Sequence, residues 1–90
     1  MKDNLNPFHL AIPVSNLEKS VIYYRDILGL KEGRSSNKWA DFDFFGHQLV
    51  CHVSDSINEQ ITNPVDGEEV PVPHFGVVLS IEEFEEFLLK

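Results

Sequence analysis

Cysteine is nearly missing from this sequence: Cys51 stands alone in ninety residues, so no disulfide can close within the chain and an apolar core must hold it. Positive charge is scarce as well. Seven lysines and arginines against fifteen aspartates and glutamates leave a net charge of −8, which repels a phosphate backbone instead of releasing its counterions. Nucleic acid and membranes are therefore unsuitable partners. No uninterrupted apolar run approaches the roughly 20 residues of a membrane span, and Met1-Lys2-Asp3-Asn4-Leu5-Asn6 lacks the apolar stretch of a secretion signal. The expected compartment is the cytoplasm. What remains is an ordinary composition, 42% hydrophobic and 24% charged, at the length of one small domain.

Local patterns predict alternating strands and helices. Phe8 to Val14 is short and apolar, which suits a buried strand. Ser15 with Glu18 matches a capping box, and Leu17, Val21, Tyr24 and Leu28 then line one helical face, so a helix is expected over Asn16 to Leu28 with Gly29 closing it. A weak strand is expected at Lys31 to Ser35. Trp39 to Phe45 alternates apolar and polar residues, and Gly46-His47 reads as a tight connection to a second alternating strand, His47 to Val53. Ser54 to Pro73 holds three prolines, a glycine and five acidic residues without periodicity, the mark of a connecting loop. A strand at His74 to Leu79 and a helix opened by the Ser80/Glu83 capping box complete the pattern.

The two ends repeat each other. At an offset of 65 residues His9 falls on His74, Ser15 on Ser80 and Glu18 on Glu83, with apolar or small residues between. The first copy reads strand, helix, strand, strand, strand; the second has a strand and the start of a helix. The expected class is α+β: a βαβββ module over 1–53, a connecting loop over 54–73, and the opening of a second, incomplete module over 74–90.

These residues also carry a family signature. Tyr23-Tyr24-Arg25-Asp26-Ile27-Leu28-Gly29, behind the strand His9-Leu10-Ala11-Ile12-Pro13-Val14, resembles the F-Y-x-x-x-L-G motif of the vicinal oxygen chelate superfamily, which includes glyoxalase I, bleomycin-resistance proteins and extradiol ring-cleaving dioxygenases. Gly33-Arg34-Ser35-Ser36 and the run from Trp39 to Gln48 look further like a bacterial glyoxalase-like subgroup of no firmly assigned substrate. The resemblance implies paired βαβββ modules around a divalent metal (iron, manganese, nickel or zinc). It implies His9 and His74 as ligands, one from the first strand of each module. A further glutamate ligand usually sits on the last strand of the second module, beyond these ninety residues.

Strand alternation offers an independent test of that surface. If Phe8, Leu10 and Ile12, then Ala40, Phe42 and Phe44, then Leu49, Cys51 and Val53, and Phe75, Val77 and Leu79 lie under helices, the residues facing away are His9, Asp41, Asp43, Gln48, His52 and His74. Imidazoles and carboxylates are the side chains that hold first-row divalent ions. His52 and Gln48 are candidate auxiliary ligands or pocket residues, and Arg34, Trp39, Asp41 and Asp43 candidate walls of a substrate pocket for an anionic or planar molecule. The plainer account is a wet sheet face, with solvated or paired carboxylates and histidines satisfied by backbone groups.

Two functions follow from the resemblance. One is a glyoxalase- or dioxygenase-like protein whose metal chelates adjacent oxygens of a small molecule, of lyase, isomerase or ring-cleaving type. The alternative is a non-catalytic small-molecule binder of the bleomycin-resistance kind, working as a dimer. Unpaired strand edges imply a homodimer or a separate second half as partner.

Overall fold

The computed structural model describes residues 5–55 and 61–89, in two compact units divided at residues 57 and 58. In the first unit β1 (His9–Val14) leads to α1 (Leu17–Val21), which continues without a break into a π-helical turn (Ile22–Ile27). Three strands follow: β2 (Glu32–Ser35), β3 (Trp39–Phe44) and β4 (His47–Val53). They form one sheet in the order β1-β4-β3-β2, with β1 parallel to β4 and the other pairs antiparallel. This is a βαβββ module. The second unit holds an antiparallel pair, β5 (Ile61–Val65) and β6 (Glu68–Val72), and helix α2 (Ile81–Leu88), so the fold is α+β with part of a second module after the first. Among the described residues no helix is long and apolar enough to cross a membrane.

Period-two alternation builds the core of the first unit as expected. Leu10, Ile12 and Val14 are half-buried while His9, Ala11 and Pro13 are exposed. Ala40, Phe42 and Cys51 are fully shielded beside Leu30, and Ile12, Val14, Leu17, Val21, Tyr24, Leu28 and Phe44 pack around them. The Tyr24 ring lies over Phe42 with centroids 5.5 Å apart. The expected helix forms, but its second half widens to an i→i+5 pattern in which the Leu28 N–H donates to the Tyr23 carbonyl at 2.9 Å. Gly29 then takes φ +74°, the left-handed closure that its position predicts.

Several boundaries move by one residue. Asn16, not Ser15, caps α1: its backbone is extended, and its side-chain oxygen accepts from the Lys19 N–H at 2.9 Å. Both residue types cap well, and the one whose oxygen reaches the third helical N–H takes the role. The Ser80/Glu83 box on α2 forms in both directions, as expected. The β3–β4 turn is Phe45-Gly46 (φ 52° and 88°), since a type I′ turn needs positive φ at both central residues and Phe44 pairs with His47 across it. Asp43 fastens this turn by accepting the Gly46 N–H at 2.8 Å.

Two larger differences lie in the second unit. The stretch expected to be a loop contains the β5–β6 hairpin, turned at Asp66-Gly67 with φ 51° and 81°. Pro64 and Pro71 argue against strands inside a sheet, but here each strand has a single partner and can hold a residue with no N–H to give. Residues 74–80, where a strand is expected, carry no strand pairing. Their equivalent in the first unit, β1, draws its whole ladder from β4, and among the described residues 74–80 have no such partner strand.

Phe42→Ala should therefore cost about 3–5 kcal/mol, the usual loss for a deleted core phenylalanine, measured by urea denaturation. Burial pushes the Cys51 thiol up to about 11. Native protein at pH 8 should resist iodoacetamide until urea exposes Cys51. The unfolded thiol, with a pKa near about 8.5, ionises first, so stability should fall as pH rises from there toward the folded value.

Candidate metal-binding face

The sheet face opposite α1 collects the polar halves of the strands. The ladders set His9 against Gln48, Gln48 against Asp43, Val50 against Asp41, and His52 against Trp39. These residues therefore share a side, and Cys51, Ala40 and Phe42 point to the other. The face is not uniformly wet. Asp41 is only 7% exposed and Val50 5%, which makes Asp41 a buried carboxylate at the centre of the face and not a solvated one.

Its surroundings satisfy it. The Arg34 backbone N–H donates to Asp41 Oδ1 at 2.6 Å, and the Gln48 side-chain amide donates to Oδ2 at 3.1 Å. Gly33 makes room: a Cβ there would collide with the Asp41 carboxylate. At the other end of Gln48, Oε1 lies 2.7 Å from His9 Nδ1. An amide oxygen only accepts, so His9 donates from Nδ1 and its Nε2 keeps a lone pair. His74, in the second unit, has the same local arrangement, with Nδ1 2.6 Å from the Pro71 carbonyl oxygen. In both imidazoles the proton on Nδ1 is held by an oxygen, the arrangement by which outer partners orient metal-binding histidines.

The remaining candidates divide. The Arg34 guanidinium lies over the Trp39 ring, 5.5 Å from its centroid, and has no carboxylate partner among the described residues. Arg25, by contrast, is held by Asp26 and Glu32 at 2.9 and 3.2 Å. His52 is exposed on the same face, across the ladder from Trp39. Asp43 is committed to the β3–β4 turn. His47 accepts the Phe8 N–H at 2.9 Å and meets the Phe8 ring edge-on, tying the entry of β1 to β4. Among the described residues no group of three or more histidine, cysteine, aspartate or glutamate side chains converges as a metal cage. The donor chemistry of His9 and of His74 fits a divalent ion, each as one ligand.

Sequence reading places His9, Asp41, Asp43, Gln48 and His52 on this face, but it expects His74 there too, which lies in an unpaired segment of the second unit, and it misses the Asp41–Gln48 link and the role of Gly33. The strand pattern says which side a residue takes; the diagonal reach from Gln48 to Asp41 depends on the register of two strands. A glycine two positions into β2 looks like part of a turn until the carboxylate above it is seen.

Comparison with known proteins agrees with this architecture. No family model matches the chain. The metallothiol transferase FosB of Lysinibacillus sphaericus (strain C3-41) is 30% identical over 82 residues, covering 91% of this chain and 54% of that protein. The chain thus spans about half the length of this curated relative. The crystal structure of a glyoxalase/bleomycin resistance protein/dioxygenase from Alicyclobacillus acidocaldarius matches with a TM-score of 0.73 and 32% identity, over 97% of this chain and 61% of that one. The fosfomycin resistance protein FosX of Listeria monocytogenes (TM-score 0.61, 22% identity, 99% and 63% covered) shares the fold. So does a lactoylglutathione lyase of Agrobacterium tumefaciens (0.56, 18%, 98% and 69%). With a βαβββ module, part of a second, and these relatives, the chain belongs to the vicinal oxygen chelate superfamily.

Proposed function

We propose that this chain carries the first module, residues 1–53, and the opening of the second, from His74, of a metal-dependent enzyme of the glyoxalase and fosfomycin-resistance type. His9 and His74 would each offer Nε2 as a ligand to a divalent ion, one of iron, manganese, nickel or zinc. The observation that carries this reading is the shared state of the two imidazoles: each has its Nδ1 proton held by an oxygen, which leaves Nε2 as the basic nitrogen. When bound, the metal supplies Lewis-acid polarisation of adjacent substrate oxygens.

The chain's own residues do the remaining work. Trp39 holds the Arg34 guanidinium on the same face as His9, where a cation in no ion pair among the described residues attracts the negative end of a small substrate. Gln48 keeps His9 oriented. His52 is an auxiliary ligand or pocket residue, and the buried Val50 gives the substrate an apolar floor. The reaction class is transfer or lyase chemistry, by likeness to a metallothiol transferase and a lactoylglutathione lyase, with ring-cleaving dioxygenation kept beside them by the 32% identical structure.

Native mass spectrometry of the purified chain, titrated with zinc, manganese, nickel and iron(II), tests this reading. A bound ion is expected, with affinity at least tenfold weaker in His9→Ala and in His74→Ala, since even loss of an outer partner costs 10–100-fold. The same spectra count chains, and a homodimer or a complex with a separate second half is the expected assembly. A chain that takes up none of the four ions but binds small anions unchanged in both variants would overturn the metal reading in favour of a metal-free binder.

A further inference from the structure

We propose that Asp41, acting through Gln48, decides which nitrogen of His9 carries the proton. The inference takes its functional meaning from His9 as a metal ligand, but its content is a property of the metal-free protein. Five observations carry it. Asp41 is 7% exposed, its Oδ1 is pinned by the Arg34 backbone N–H at 2.6 Å, and the missing side chain of Gly33 leaves the space it occupies. Its Oδ2 is 3.1 Å from Gln48 Nε2, and Gln48 Oε1 is 2.7 Å from His9 Nδ1.

The chemistry of these groups gives the chain of contacts a direction. A carboxylate is an acceptor at both oxygens, so the amide end that faces it must be the NH2. That choice leaves the amide oxygen, an acceptor only, for His9. An imidazole meeting an acceptor at Nδ1 has to donate there, and in the neutral ring the lone pair is then on Nε2. Turning the Gln48 amide over would set Oε1 against the Asp41 carboxylate, acceptor against acceptor, at the one member of the chain of contacts that is itself buried. Asp41 therefore works as a positioning residue two contacts away from the nitrogen it controls. Gln48 thereby spends its NH2 on Asp41 and one lone pair of its oxygen on His9.

The register supports the assignment. Gln48 stands directly beside His9 in the parallel β1–β4 ladder, and Asp41 is its diagonal neighbour on β3, within reach of a long side chain. Asp43, which is the direct cross-strand partner of Gln48, is turned to the Gly46 N–H instead.

The test is two-bond 1H–15N correlation spectroscopy of the histidine rings in the 15N-labelled, EDTA-treated protein, with His9 assigned by its loss in His9→Asn. The wild-type ring should be protonated on Nδ1 and bare on Nε2. Asp41→Asn gives Gln48 a partner that can donate as well as accept, and Gln48→Leu removes the link; each should shift the His9 tautomer ratio toward Nε2–H at least tenfold. Gly33→Ala, which crowds the carboxylate, should move it in the same direction, and Asp43→Asn, on the same strand face, should not. A wild-type His9 protonated on Nε2, or an unchanged ratio in folded Gln48→Leu, overturns the proposal. Should Asp41→Asn fail to fold, Gln48→Leu at its exposed position decides. Zinc affinity of the same variants separates the two readings: a 10–100-fold loss accompanying the tautomer shift supports both. A tautomer shift with zinc affinity unchanged supports the relay and overturns the ligand role of His9.

Discussion

The parallel ladder between β1 and β4 is the constraint on which the first unit depends. It joins the start of the chain to residues about forty positions away, and it is closed at both ends by the Gln48 N–H on the Phe8 carbonyl and the Ser54 N–H on the Val14 carbonyl, each at 2.9 Å. Once that pairing is made, one register serves two purposes. Ile12 and Val14 come level with Cys51 and Val53, and β1 joins the layer that α1 covers. On the other side His9 comes level with Gln48. A slip of one residue would bury the imidazole under the helix and lift the apolar set to the open face, so the burial of the core is also what positions the candidate site.

The open face then has to accommodate a carboxylate that is mostly out of water. Burying Asp41 is unfavourable unless its lone pairs are met, and it is met by one backbone N–H, one amide and the space over a glycine. None of the described buried side-chain polar atoms is left without a partner. The polar cluster is thus satisfied on the sheet itself, and the three strands β2, β3 and β4 are coupled through one carboxylate. That coupling gives a small unit a rigid support for His9 without the disulfides that its single cysteine cannot make.

Family and architecture agree at a definite level. The βαβββ module and the two relatives at 30% and 32% identity establish the vicinal oxygen chelate superfamily; the more distant matches establish the shared fold. The chain covers 54% of the curated relative and 61% of the most similar of these structures by TM-score, so the activity of a whole two-module protein enters only as a proposal. Chemistry narrows that proposal more than likeness does. Two imidazoles with oxygen-held Nδ1 protons, and an arginine over a tryptophan whose guanidinium is in no ion pair among the described residues, are properties of these residues themselves.

Much of this was legible in the residues alone, because the signals that carry it are periodic and local. Alternation in β1, β3 and β4 assigns each side chain to a face, the apolar spacing from Leu17 to Leu28 finds the helix, and Ser80 with Glu83 finds the start of α2. Errors came where two local signals compete. Ser15 and Asn16 both offer a cap, and Phe45 accepts a positive φ that sequence preference would assign to Gly46 and its neighbour. The Asp66-Gly67 hairpin was hidden by flanking prolines that a two-stranded sheet tolerates. Sequence by itself determined the class of fold, the composition of each face and the candidate ligands, since periodicity and residue chemistry are properties of short segments. Only the tertiary structure decided that Asp41 is buried, that Gln48 connects it to His9, that Gly33 makes room for it and that Asp43 belongs to a turn. Those contacts join residues on different strands, and strand register, which sets them, comes from burying the whole core at once.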